Sequence, residues 1–123
     1  MRAPGATEVM RLTMPDGTIG YAEIEIASGR IMLAQEDPKY NTAPATLGGT
    51  TVVLQIYVPD VDAFVQRAVD GGATLTMPVA NQFYGDRSGR LADPFGYVWT
   101  IATRQETMTA DERQRRMDAM MQA

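Results

Sequence analysis

The residues able to do chemistry in this chain are carboxylates, tyrosines, lysine, arginines and hydroxyls, because its 123 residues include neither histidine nor cysteine. Imidazole serves most zinc and iron sites and most hydrolytic triads, and thiolates hold many structural metals. Proton transfer would therefore run on Glu, Asp or Tyr. Two groupings stand out. Glu23 and Glu25 share one face of an alternating segment and are spaced to serve as a base or a ligand. Acids alternating with Ile on an antiparallel strand more often form the solvent face, and that is the reading adopted. The run Gln82-Phe83-Tyr84-Gly85-Asp86-Arg87 sets two aromatics, an acid and a guanidinium beside a glycine, as a small organic ligand requires. The same run equally describes a loop in which Asp86 and Arg87 pair with each other or fix the backbone.

Composition narrows the classes further. With 15 acidic against 11 basic residues the net charge is −4, a poor match to nucleic acid, which needs a positive field. The basic cluster Arg113, Arg115 and Arg116 is interrupted by Asp111, Glu112 and Asp118. No apolar run approaches the ~20 residues of a membrane span, and no signal peptide opens the chain. A cytoplasmic protein without a membrane partner is expected, and the absence of cysteine suits a reducing compartment. The length suits a single domain over residues 1–123.

The elements that must position these residues follow from pattern. Thr7 to Met14 suits a strand, Pro15-Asp16-Gly17 a turn, and Tyr21 to Ala27 alternates with Ala22, Ile24 and Ile26 on one face. Ser28-Gly29 turns the chain into a third strand over Arg30 to Ala34. Residues 37–50 carry Pro38, Pro44, Gly48 and Gly49 without apolar periodicity and read as a linker. Thr51 to Val58 is β-prone, and Asp60 caps a helix whose Val61, Phe64, Val65 and Ala68 recur at helical spacing until Gly71-Gly72. Ala73 to Val79 is a strand, Gln82 to Arg90 is loop-rich, Arg90 to Ala92 is a short strand, and Tyr97 to Thr103 comes after the Asp93-Pro94-Phe95-Gly96 turn. Thr109-x-x-Glu112 is a capping box opening a helix over residues 109–122. Its Met117, Met120 and Met121 form a stripe expected to pack on the sheet or on a partner subunit.

These segments resemble the glyoxalase/bleomycin-resistance family of the vicinal oxygen chelate superfamily. Asp60-Val61-Asp62-Ala63-Phe64, Gly71-Gly72-Ala73 and Asp93-Pro94-Phe95-Gly96-Tyr97 look like its second module, and Met77-Pro78-Val79 with Gln82 to Arg87 is similar to the PhnB-like branch. The Gly5-Ala6-Thr7-Glu8-Val9 stretch looks like the segment after the helix of a first module. The resemblance implies an α+β fold of paired βαβββ modules. A first module over residues 5–36, reduced to three strands and lacking its own first strand and helix, would precede the linker, a second module over 51–104 and the C-terminal helix.

The resemblance also implies what the cleft holds. Metal enzymes of the family bind one divalent ion with His and Glu from four strands. Carried over by position, three ligands fall on Leu33, Gln55 and Thr100, which are not a metal set. No metal and no cofactor are expected. The family cleft implies ligand-binding residues Tyr21, Gln55, Tyr57, Phe83, Tyr84, Arg87 and Thr100, and no catalytic residue. On β-strand alternation Val53, Gln55 and Tyr57 share that face, as do Val98, Thr100 and Ala102, while Trp99 and Ile101 belong to the helix layer. The function expected is metal-free binding or sequestration of an aromatic or drug-like small molecule. Alternatives are a metal-independent isomerase or lyase using Glu25 or Tyr57, and a dimerisation module without ligand. An unpaired strand edge predicts a homodimer, with or without exchange of modules.

Overall fold

A computed structural model describes residues 6–122; Gly5, placed above at the start of the first module, lies outside the described residues. The described residues form seven strands, arranged in two sheets, and three helices. The first sheet is an antiparallel meander of β1 (Thr7–Thr13), β2 (Ile19–Ile26) and β3 (Gly29–Leu33), in chain order. The second runs β4 (Val53–Tyr57), β7 (Val98–Arg104), β6 (Asp86–Ala92), β5 (Thr74–Asn81), with β4 parallel to β7 and the rest antiparallel. Helix α2 (Val61–Asp70) crosses between β4 and β5, so this half is βαβββ. The meander β5-β6-β7 repeats the connectivity of β1-β2-β3.

Helix α2 begins because Asp60, in extended conformation, accepts the amide of Ala63. Its apolar face of Val61, Phe64, Val65 and Ala68 is buried with Leu91 and Ile101 of the second sheet and Ile26 of the first. Ile56, Val58 and Trp99 pack against this core as alternation required. Thr103 locks the junction: its hydroxyl donates to the Val58 carbonyl at 2.8 Å and accepts from the Val61 amide at 2.9 Å.

Several sequence expectations need correction. The linker contains a one-turn helix, α1 (Pro44–Leu47), started by its own proline and ended by Gly48 at φ 88°. The β2–β3 reversal centres on Ala27 and Ser28, both at positive φ (49° and 68°), one residue before the expected Ser28-Gly29 turn. The run expected as a loop up to Arg90 is strand from Asp86 onward, at an inner position of the sheet. Gly89 read as a loop residue but is buried; a Cβ there would meet Val79 Cγ2 at 2.8 Å, so the glycine admits a neighbouring strand.

The C-terminal helix, α3 (Ala110–Met121), is capped by Thr109, which accepts from the Glu112 amide. The reciprocal half of the box is not made, because the Glu112 carboxylate is taken by Arg115 and Arg116. Arg116 ties α3 to the body through the Phe83 carbonyl and Glu106. The methionine stripe does not pack on the sheet: Met117, Met120 and Met121 are 40%, 48% and 69% exposed. No helix among the described residues is long and apolar enough to cross a membrane.

Candidate functional site

Strand register gathers the polar residues of the second sheet into rows on the face opposite α2. Gln55, Thr100, Arg90 and Met77 lie side by side across β4, β7, β6 and β5. The next row is Tyr57, Ala102, Ser88 and Ala80, and beyond it Arg104 pairs with Asp86. Neighbouring strands are about 4.8 Å apart, so long side chains in one row reach across two strands. This face gathers Gln55, Tyr57 and Thr100 from segments 45 residues apart in sequence.

Its centre is a hydrogen-bonded triad. The Tyr57 hydroxyl donates to Asp86 Oδ2 at 2.7 Å, and the Arg104 guanidinium donates to the same hydroxyl at 3.2 Å. Arg104 also lies over the Tyr57 ring, 4.9 Å from its centroid, and its Nε is 3.7 Å from Asp86 Oδ1. Asp86 is only 1% exposed, so its charge depends on these partners, and among the described residues Oδ1 has no hydrogen-bond partner. The tyrosine contact holds the Arg104 guanidinium above its ordinary pKa, with the Asp86 charge adding to it. Tyr84 extends the site, its hydroxyl 3.4 Å from Ser88 Oγ, and Phe83 meets its ring edge-on at 5.0 Å.

Two of the expected residues lie elsewhere. Arg87 alternates to the α2 face, where its guanidinium grips Asp62 at 2.8 and 3.1 Å and Asn81 at 3.1 Å. That contact holds the Asp62 carboxyl below its ordinary pKa. The Asp86–Arg87 pairing considered above is impossible, since adjacent strand residues point to opposite faces. Tyr21 belongs to the first sheet and donates to Glu23 at 2.5 Å, which raises its own pKa. Glu23 is half-buried and 3.6 Å from Arg30, whereas Glu25 is exposed.

Sequence reasoning named Asp86 only as part of a loop, and it missed Ser88, Arg90 and Arg104 as members of this face. The signal was present: Asp86, Ser88 and Arg90 alternate at strand spacing, but Gly85 and Gly89 masked it. Beside the face, a cleft of about 370 Å³ opens between the two sheets, lined by Ile26 and Ile31 on one side and Leu54 to Tyr57 with Trp99 on the other. Among the described residues both bordering strands, β3 and β4, are paired on one side only.

The residues at the metal positions do not fit a divalent cation. Leu33 has no donor and lies on the first sheet, opposite Ala22. Gln55 and Thr100 are neutral, and Arg90 beside them adds a positive charge. Among the described residues no three His, Cys, Asp or Glu side chains come together.

Known proteins share this architecture. The family described as the Glyoxalase/Bleomycin resistance protein/Dioxygenase superfamily matches residues 2–101. An uncharacterized protein of Mycobacterium tuberculosis is 36% identical over 123 residues, which cover 97% of this chain and 72% of that protein. The crystal structure of TioX from Micromonospora sp. ML1 is 27% identical with a TM-score of 0.63, covering 88% of this chain and 84% of that one. A PhnB protein from Bacillus cereus shares the fold at 14% identity, TM-score 0.59, over 80% of this chain and 79% of its own.

Proposed function

This chain belongs to the glyoxalase/bleomycin resistance protein/dioxygenase superfamily, and we propose that within it the protein is a metal-free binder of small aromatic molecules. One observation carries the reading. Tyr57, 44% exposed, presents a ring fixed by Asp86 and Arg104 on an open sheet face beside the cleft. A rigid aromatic with neighbouring polar groups is what a planar ligand stacks on. The neutral side chains at the metal positions and the arginine beside them favour organic ligand over cation. Trp99, the chain's one tryptophan, lines the cleft and supplies a signal. Titration with 2-naphthamide is expected to change Trp99 fluorescence saturably, and Tyr57→Ala to weaken the interaction. A linear, non-saturating response would overturn the reading.

Pairing with a second copy of the chain belongs to the same proposal. The open edge of β3 and the exposed methionines of α3 are surfaces that association would cover. Light scattering over a concentration series tests it: a mass of twice 13.5 kDa supports pairing, and a constant 13.5 kDa rejects it.

A second reading, metal-independent proton transfer, is favoured by the contact of the Tyr57 hydroxyl with a buried carboxylate. It requires that Tyr57→Phe abolish turnover while leaving ligand affinity within a few-fold.

A further inference from the structure

Arg90 stands apart from the other arginines of the second sheet. Arg87 is held by Asp62, and Arg104 by Tyr57 and Asp86. Arg90 is half-buried, its Nε is shielded from solvent without an acceptor, and no ion pair among the described residues includes it. A shielded guanidinium nitrogen without an acceptor is unfavourable unless something else supplies one. Its row neighbours are the Thr100 hydroxyl and, one strand further, the Gln55 amide, both able to donate. Tyr57 lies in the adjoining row.

We infer that Arg90 is the anchor for a carboxylate carried by the aromatic ligand, with Thr100 and Gln55 as accessory donors. The inference rests on the binding function proposed above and specifies the ligand class as aromatic monoacids. A guanidinium matches a carboxylate in plane and spacing, and the resulting bonds are charge-assisted. Asp86, the acid on the same face, is neutralised by Arg104 and does not compete for Arg90. The net charge of −4 repels anions in general, so a preference for an anion must arise locally.

The test compares 2-naphthoate, 2-naphthamide and 2-naphthylmethylammonium, which share one ring system and differ in charge. Trp99 fluorescence or calorimetry should rank naphthoate first, by roughly tenfold or more over the amide, with the ammonium weakest. Arg90→Gln should remove that preference, bringing the naphthoate and naphthamide affinities to within about twofold of each other. Arg90→Lys keeps the charge without the fork and should retain part of the preference, which covers a glutamine variant that fails to fold. Saturable naphthamide binding without a naphthoate advantage overturns the inference while the binding function stands. Absence of binding by all three probes overturns both.

Discussion

The Tyr57 hydroxyl and Asp86 Oδ2 are 2.7 Å apart although their strands, β4 and β6, are separated by β7. Ala102, the β7 partner of Tyr57 in register, is fully buried and short enough for the tyrosine ring to pass over it toward Asp86, which lies one row further on, opposite Arg104. The geometry of the candidate site therefore depends on a small side chain at a central position.

Tyr57→Phe removes the hydroxyl and leaves Asp86 with Arg104 as its remaining neighbour. Because Asp86 Oδ1 is already without a hydrogen bond, little can compensate. A loss of about 1–3 kcal/mol is expected, the penalty for a buried polar group deprived of its partner. Urea denaturation measures it, and a variant as stable as the parent would show the carboxylate is satisfied otherwise.

Gly89→Ala tests the reason for the glycine in β6. The new Cβ would lie 2.8 Å from Val79 Cγ2 and 3.3 Å from the Met77 carbonyl oxygen. Overpacking of this kind costs about 1–3 kcal/mol. Val79→Ala in the same chain should recover part of the loss, because the two positions share one space. If the double variant is as unstable as the sum of the singles, the clash lies with the backbone.

These two positions also show which parts were legible in the sequence. The alternation around Ile24 and the helical spacing of Val61, Phe64 and Val65 report burial on one side, and both elements formed as expected. Strand β6 carries its polar residues toward the face opposite α2 and its glycine under a neighbour, so neither face looks apolar and the segment reads as loop. That Gln55, Tyr57 and Thr100 share one sheet face was legible because their strands are ordinary. The placement of Arg90 was not, and Asp86 was read only as part of a loop, since their positions on this face arise only from register across three strands. Arg87 was misassigned for the same reason, as its face depends on where β6 starts.

Thr103→Val preserves shape while removing a hydroxyl that bridges the end of β4 to the start of α2. The Val61 amide, on a residue 1% exposed, loses its acceptor, and the Val58 carbonyl its donor. A destabilisation of about 1–3 kcal/mol is expected. Hydrogen exchange at the Val61 amide should accelerate more than at mid-helix amides. Equal acceleration throughout would instead indicate global loosening.

The Asp62–Arg87 pair predicts a pH dependence whose sign is fixed. Arg87 holds the Asp62 carboxyl below its ordinary value of 3.8, first by hydrogen bonding and also by charge. A carboxyl with a lower pKa folded than unfolded binds fewer protons in the native state. Its stabilising contribution is therefore complete above pH 3.8 and is lost as pH falls through the lowered native value. Both side chains are partly exposed, Asp62 at 58%, so the effect is small and screened by salt. Arg87→Gln should lower the thermal midpoint at neutral pH, and the difference from the parent should shrink on acidification below that value. Carbon-detected titration of the Asp62 carboxyl should show a midpoint below 3.8 in the parent and a return toward it in the variant. An unchanged midpoint in Arg87→Gln would mean that Arg87 does not hold the helix through this carboxylate.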